Sequence, residues 1–111
     1  MNFAAPKLCQ RLYELTRKSA YWAWDCTGPE PVIVRAGGNL GNGIWPAYML
    51  RDLWDMNPRA TTWFKKETNR LGGTCSARTE RAPHFMAHDS TPENAAATLQ
   101  ISVETDKRAR R

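Results

Sequence analysis

The chain has 111 residues, which is the length of one typical domain and is enough for a packed hydrophobic core without disulfides or a bound metal. Its formal net charge of +5 is concentrated at one end. The last five residues carry four positive charges, and residues 1–106 hold 12 basic against 11 acidic side chains, a net of +1. A body this close to neutral excludes a protein that imitates DNA, since a mimic needs dense Asp and Glu, and it attracts nucleic acid only weakly.

The cysteines and the hydropathy pattern indicate a cytoplasmic protein. Cys9, Cys26 and Cys75 are odd in number and widely spaced, which is typical of reduced thiols in a cytosol rather than of a disulfide framework. No apolar run approaches the roughly 20 residues that span a bilayer. No basic segment followed by an apolar stretch marks a secretory signal. We therefore expect no membrane partner.

A helix followed by a hairpin is predicted for the first third of the chain. Pro6 suits the first position of a helix, and apolar residues then recur with helical spacing, which predicts a helix over residues 6–18. Trp22 and Trp24 fall on one side of the next extended segment, and a turn separates it from a β-branched run. The pattern predicts a hairpin over residues 20–35, followed by a glycine-rich loop over 37–43.

The middle of the chain is predicted to be mainly helical. Pro46 is interpreted as the start of a second helix, which Asn57 and Pro58 end. The same pair can cap a third helix over residues 58–71 that stops at two glycines. A strand over residues 61–66 is the alternative, because Thr-Thr-Trp-Phe is also typical of strands. We favour the helix because its start and stop signals agree.

The last third contains the clearest local signal of the chain. Residues 74–79 and 83–88 form a weaker predicted hairpin. Thr91 is a good N-cap and Pro92 suits the first helical position, so a helix is predicted from there to about Glu104. The expected fold is a small α+β domain over residues 1–105, with helices packed on a short antiparallel sheet, and a basic flexible tail over 106–111.

Metal-binding and catalytic side chains are present, but their spacing favours neither function. His84 and His88 could bind zinc from one helix face, together with Cys75 and Asp89. The segment that contains both histidines is predicted to be extended, which separates them by about 13 Å. No local pattern pairs a cysteine with a histidine, and the glycine loop lacks the Gly-Lys-Ser/Thr ending of a phosphate-binding loop. We therefore expect no metal, no cofactor and no enzymatic activity.

Two basic segments could bind nucleic acid. Two aromatic residues are followed by Lys65, Lys66 and Arg70. This combination can bind single-stranded nucleic acid by base stacking and phosphate contact. The tail adds Lys107, Arg108, Arg110 and Arg111. On a helix, however, the aromatic residues would face the core and the lysines would face water. Nucleic-acid binding is therefore the alternative function.

An interface with another protein is predicted around the glycine loop. Trp45 follows this loop, where an aromatic side chain can stand in solvent, and we assign Trp45, Tyr48, Asn39 and Asn42 to partner binding. A tryptophan is a good anchor because it offers a large contact area with few torsions to freeze. The competing interpretation is that Trp45 packs at the start of the second helix.

The order of these segments resembles that of small bacteriophage and prophage accessory proteins with an α-β-α sandwich. The resemblance covers about residues 6–104 and is carried by a helix at 8–15, Tyr21-Trp22-Ala23-Trp24, Trp45-Pro46-Ala47-Tyr48 and Asp89-Ser90-Thr91-Pro92-Glu93. It implies a mobile-element protein in a bacterial cytoplasm that binds and inhibits a host protein, such as a defence complex of the CRISPR–Cas type. It implies no catalytic residues.

Overall fold

The computed structural model describes residues 2–38, 40–57, 60–69, 72–79 and 84–110, with only the backbone of residues 60–74 described within the two strands there. Helix α1 spans Pro6–Thr16, with Pro6 at its start as expected. It ends two residues earlier than predicted, where Arg17 adopts a left-handed conformation (φ 57°) and donates its N–H to the Tyr13 carbonyl. Such a residue is a common helix terminator.

The predicted hairpin at residues 20–35 is confirmed. Strand β1 spans Trp22–Asp25 and pairs antiparallel with β2 at Val32–Arg35. A third strand, β3 at Ile44–Ala47, pairs with the other edge of β1 and gives the strand order β2-β1-β3, which we name sheet 1.

The prediction that Pro46 starts a helix is wrong. Pro46 lies inside β3, opposite Ala23. Helix α2 spans Leu50–Met56, so it begins after Pro46 and not at it. Proline lacks the N–H that a central strand would need, but β3 pairs with β1 alone within sheet 1, so proline is tolerated there. The Asp52 carboxylate accepts a hydrogen bond from the Met49 N–H at 2.8 Å and so caps the N-terminus of α2.

The helix predicted over residues 58–71 is also wrong. Strand β4 spans Ala60–Asn69 and pairs antiparallel with β5 at Gly72–Thr79, with an irregularity in register between Trp63 and Glu67. The glycines that were interpreted as a helix stop begin the second strand of this hairpin. The β-prone residues of the segment, supported by pairing with β5, outweigh the helix start and stop signals.

The second predicted hairpin and the final helix are confirmed. Strand β6 at Met86–Asp89 pairs antiparallel with β5, which gives sheet 2 the order β4-β5-β6. Helix α3 spans Pro92–Ala109, and the Thr91 hydroxyl accepts a hydrogen bond from the Asn94 N–H at 3.2 Å. The predicted end near Glu104 is wrong, because the helix continues through the basic residues, so the flexible tail expected from residue 106 is helical as far as Ala109.

The fold is therefore α+β, as predicted, with two short antiparallel sheets where one was expected.

Helix α3 is shared by two groups of buried residues. The large-residue cluster lies beside sheet 1 and comprises Ala4, Cys9, Leu12, Tyr48, Leu53, Ala96 and Ala97. The alanine cluster lies between α3 and sheet 2 and comprises Ala77, Ala87, Ala95 and Leu99. None of the helices in the described part of the chain is long and apolar enough to cross a membrane.

Candidate interaction surface

Trp45 lies on β3 and is half-buried against α1. Its ring contacts that of Tyr13, with centroids 6.2 Å apart and an interplanar angle of 55°. The Arg17 guanidinium lies 5.3 Å from the centroid of the same Tyr13 ring, which is within the range of a cation–π contact. Trp45 therefore packs on helix α1, and part of its surface stays accessible, which leaves its assignment to partner binding a prediction.

The assignment of Tyr48 to partner binding is wrong. Tyr48 is fully buried in the large-residue cluster, its hydroxyl donates to the Lys18 carbonyl at 2.5 Å, and burial raises the pKa of this hydroxyl above its usual range. The error follows from the misplaced helix start. Because Pro46 belongs to β3, Tyr48 lies in the connection that crosses the core, where its N–H also bonds to the Cys9 sulfur at 3.5 Å.

Asn42 is the one of the two loop residues assigned to partner binding that lies in the described part of the chain. Asn42 is exposed and adopts a left-handed conformation (φ 55°) between Gly41 and Gly43, which also have positive φ. Asparagine tolerates this region better than most residues, so the turn is built from the residues suited to it. Asn39 lies outside the described residues.

A second group of aromatic residues was missed in the sequence analysis. Tyr21 is 59% exposed, although it is large and lies beside the sheet. Arg35 donates to the Tyr21 hydroxyl from Nε at 2.9 Å and also from Nη2, and its guanidinium lies 5.1 Å from the ring centroid. The Trp22 ring meets Tyr21 edge-on at 5.1 Å and 80°. We name Tyr21, Trp22 and Arg35 the aromatic–arginine patch.

Strand register explains how Trp22 and Arg35, two of the three members of the aromatic–arginine patch, come together. Trp22 stands directly opposite Arg35 on β2, and residues opposite each other in antiparallel strands project from the same face. By the same rule Trp24 and Trp45, which are also opposite each other, share that face with Trp22. The alternation of Trp22 and Trp24 was visible in the sequence, but the partner strands were needed to place Arg35 and Trp45 beside them.

The basic residues of the last helical turns already have partners. Lys107 lies 3.5 Å from the Glu104 carboxylate, and Arg110 lies 2.9 Å from that of Asp106. Arg108 donates to the carbonyl of Leu15 at 2.9 Å, and this carbonyl belongs to the last turn of α1, where intrahelical donors are missing. The two ion pairs partly neutralise the positive charge at the end of α3, and the Arg108 contact occupies a donor that could otherwise bind a phosphate. Arg111 lies outside the described residues.

The other predicted nucleic-acid contacts are placed only in part. Lys65 and Lys66 belong to β4 rather than to a helix, and the structure describes only their backbone. Arg70 lies outside the described residues. Because this segment is a strand, helical spacing does not divide its aromatic residues and lysines between two faces.

The described cysteines and histidines differ in burial and in their contacts. Cys9 is fully buried, and this burial raises the pKa of its thiol to about 11, which makes it a poor nucleophile at neutral pH. His88 Nδ1 lies 2.7 Å from the Ser76 hydroxyl as a cross-strand pair on the exposed side of sheet 2. His84 is exposed, and no group of three or more His, Cys, Asp or Glu within the described ranges could hold a metal ion.

Comparisons of the chain with protein-family models, with curated proteins and with solved structures found no match.

Proposed function

We propose that this protein is a non-enzymatic binding protein that engages another protein through the aromatic–arginine patch and the accessible part of Trp45. The observation that carries the proposal is the exposure of Tyr21 together with its fixation by Arg35. Tyrosine, tryptophan and arginine are the residue types most enriched where binding energy concentrates in protein interfaces, and all three occur in this patch.

Preorganisation is the physical advantage of the patch. A free tyrosine side chain on a surface loses rotamer freedom when a partner binds, and this loss opposes association. Here the hydrogen bond and the cation–π contact from Arg35, and the edge contact from Trp22, already restrict the Tyr21 ring. A partner that covers the ring therefore gains contact area at a smaller entropic cost.

The biological setting of the proposal comes from the resemblance to phage and prophage accessory proteins. In that setting the protein is encoded by a mobile element, acts in a bacterial cytoplasm, and inhibits a host protein such as a defence complex of the CRISPR–Cas type. The near-neutral charge of residues 1–106 supports steric occlusion of the partner rather than imitation of nucleic acid.

Affinity purification with matched variants tests the proposal. Wild-type protein, Tyr21→Ala, Trp45→Ala and Met86→Ala are each used to capture partners from a nuclease-treated bacterial lysate. Met86 is 60% exposed on sheet 2, away from the patch, so Met86→Ala is the control. We expect the same protein to be captured by wild type and Met86→Ala and to be lost or weakened at least tenfold with Tyr21→Ala, because truncating an anchor typically costs about 2 kcal/mol or more.

Two results would contradict the proposal. Equal capture by Tyr21→Ala and wild type would remove the patch from the interface. Capture that occurs only from a parallel lysate without nuclease, or that disappears on deletion of residues 107–111, would favour the nucleic-acid alternative. Thermal melting of each variant separates binding from folding: Trp45→Ala should leave the midpoint nearly unchanged if Trp45 is an anchor, and should lower it by several degrees if its packing on Tyr13 is its main role.

A further inference from the structure

The outer edge of β2 presents backbone hydrogen-bonding groups to solvent. In an antiparallel pair, the N–H and C=O groups of alternate residues point to the paired strand, and those of the residues between them point away. The Ala36 N–H donates to the Tyr21 carbonyl at 3.0 Å, and these two residues continue the register of β1 and β2. By this alternation Val34 bonds to β1, whereas the N–H and C=O groups of Ile33 and Arg35 point away from it.

This edge of sheet 1 is open within the described part of the chain. The sheet has the order β2-β1-β3, so no described strand pairs with the outward groups of Ile33 and Arg35. Val32 is 52% exposed and Arg35 is also exposed, so both ends of the strand are accessible. Pro31, which precedes the strand, has no N–H to donate. The open edge is therefore short, with a donor and an acceptor at each of two positions.

The opposite edge, on β3, is closed by its own residues. The Cys26 N–H donates to the Gly43 carbonyl at 2.8 Å, and by the same alternation Ile44 and Pro46 are the residues whose backbone points outward. Ile44 exchanges two hydrogen bonds with Gly41, at 2.7 and 3.2 Å. Proline has no N–H to donate. Of the two edges of sheet 1, β2 is therefore the one that can accept a further strand.

The residues of β2 also favour the addition of a strand. Val32, Ile33 and Val34 are β-branched, the class most typical of strands. Proteins usually protect an exposed edge with proline, a bulge, several charges or a covering segment. Strand β2 contains no proline and pairs with β1 without a bulge, and its single charged residue, Arg35, lies at its end. Binding of an extended peptide to such an edge is a common mode of recognition between proteins.

Arg35 indicates the chemistry of the added strand. Residues opposite each other in paired strands project from the same face, so a residue opposite Arg35 would lie beside its guanidinium. The guanidinium donates to the Tyr21 hydroxyl from Nε and Nη2, and it has further N–H donors that can bind a carboxylate. Ile33 lies two positions away, on the same face of the strand, and suits an apolar neighbour.

We propose that the protein partner adds an extended segment antiparallel to β2, with an acidic residue opposite Arg35 and, two positions later, an apolar residue opposite Ile33. This inference rests on the proposed function, because it describes how the partner of the aromatic–arginine patch is held. The edge and the patch are continuous, since Arg35 belongs to both. In this mode of binding, main-chain hydrogen bonds supply affinity and the facing side chains supply selectivity.

Titration of the full chain with the synthetic peptide acetyl-Thr-Glu-Thr-Val-Thr-amide tests the inference by nuclear magnetic resonance. In the free protein, the amide protons of Ile33 and Arg35 should exchange with solvent faster than that of Val34, which is bonded to β1. Saturation with the peptide should shift the Ile33 and Arg35 amide signals and slow their exchange. A peptide with lysine in place of glutamate should bind about fivefold more weakly, because it places like charges side by side.

Two methylated peptides separate backbone pairing from side-chain contact. A methyl group on the valine nitrogen removes the donor that faces the Ile33 carbonyl, and should weaken binding about fivefold. The same group on the nitrogen of the central threonine points away from β2 and should have a much smaller effect. Neither peptide alters the protein, so this comparison does not depend on the folding of a variant.

A variant of the protein tests the predicted selectivity. Arg35→Gln removes the charge at an exposed position, and should bind the glutamate and lysine peptides about equally. A preference for glutamate that persists in Arg35→Gln would contradict the assigned register. Equal binding of the two methylated peptides, or no saturable shift at Ile33 and Arg35, would overturn the inference.

Occupation of the edge by a second copy of the chain is a further contradicting outcome. In that case the Ile33 and Arg35 amides of the free protein would exchange slowly and become faster on dilution. Capture from the lysate separates this inference from the proposed function. Ile33→Pro removes an outward N–H without removing a bond to β1. If Ile33→Pro retains the partner and Tyr21→Ala loses it, the proposed function stands and strand addition is wrong. If Tyr21→Ala retains the partner while the peptide binds at β2, strand addition stands and the patch is not the interface.

Discussion

Among the described side chains, both sheets pack on three buried alanines, but the cluster beside sheet 1 adds several larger residues. Beside sheet 1, the large-residue cluster buries the rings and long side chains of Tyr48, Leu12 and Leu53, and hydrogen bonds fix several of its members. Between sheet 2 and α3, the buried side chains that the structure describes are Ala77, Ala87 and Ala95 around Leu99. Helix α3 contributes residues to both clusters and is the element that joins them.

This difference determines which substitutions each region tolerates. In the large-residue cluster, position is specified by bulky groups with defined partners, so removing atoms leaves a cavity and unpaired polar groups. In the alanine cluster, small side chains let α3 approach the strands closely, so adding atoms is the more damaging change. The sequence-predicted partner residue Tyr48 belongs to the first kind and is structural for that reason.

Truncation of Tyr48 should have the largest effect on stability. Tyr48→Ala removes a fully buried ring from the large-residue cluster and leaves the Lys18 carbonyl without its donor, so we expect the free energy of unfolding to fall by about 3–5 kcal/mol. Urea denaturation measures this change. Tyr48→Phe keeps the ring and should cost only about 1 kcal/mol. A loss below 1 kcal/mol for Tyr48→Ala would show that the ring is not the centre of this cluster.

High pH should weaken the large-residue cluster in particular. Burial raises the pKa of the Cys9 thiol from 9.0 to about 11, and it also raises that of the Tyr48 hydroxyl. The folded state therefore holds these protons more tightly than the unfolded chain does, so their contribution to stability is complete below pH 9 and is lost as the pH rises toward 11. We expect a loss on the order of 2 kcal/mol between pH 9 and pH 11 in urea denaturation.

A double variant is the control for this pH dependence. Cys9→Ala with Tyr48→Phe removes both titrating groups, so the fall in stability above pH 9 should become distinctly shallower, although the variant is less stable at pH 7. An unchanged slope would assign the alkaline loss to groups elsewhere in the chain.

Enlarging Ala77 should test the alanine cluster in the opposite direction. Ala77 is fully buried on β5, beside Ala95 and Leu99 of α3. Ala77→Leu forces extra atoms into this contact and should lower the free energy of unfolding by about 1–3 kcal/mol. Ala109→Leu, at an exposed position near the end of the same helix, should change stability by less than about 0.5 kcal/mol. If Ala77→Leu is as mild as its control, the two clusters do not differ in the way that we describe.

Local chemistry made part of this fold predictable from the sequence. Pro6 and the Thr91-Pro92 pair mark helix starts because the geometry they require is local, and both were predicted correctly. The hairpin of β1 and β2 was also predicted, since a turn with two β-prone runs is itself a local pattern. For these elements, the residues adjacent in the chain are enough to predict the type of secondary structure and where it begins.

The errors occur where pairing between distant or adjacent strands decided the structure. Proline suits the first turn of a helix and also suits an edge strand. Only the pairing of Pro46 with Ala23 shows that it belongs to a strand. The segment of β4 carries a plausible helix start and stop, but pairing with β5 determines its conformation. The aromatic–arginine patch escaped prediction for the same reason, because Trp22 and Arg35 are 13 positions apart and meet only through strand register.

The smallest predicted effect concerns the start of α3, which both clusters share. The Thr91 hydroxyl accepts a hydrogen bond from the Asn94 N–H, one of the donors that a helix leaves unpaired at its start. Thr91→Ala should cost about 1 kcal/mol in urea denaturation, and Thr91→Ser, which keeps the hydroxyl, should cost much less. Because α3 belongs to both clusters, the loss should appear as one cooperative transition at lower urea rather than as the melting of one sheet. A split transition, or an unchanged midpoint, would mean that the capped turn does not hold the two clusters together.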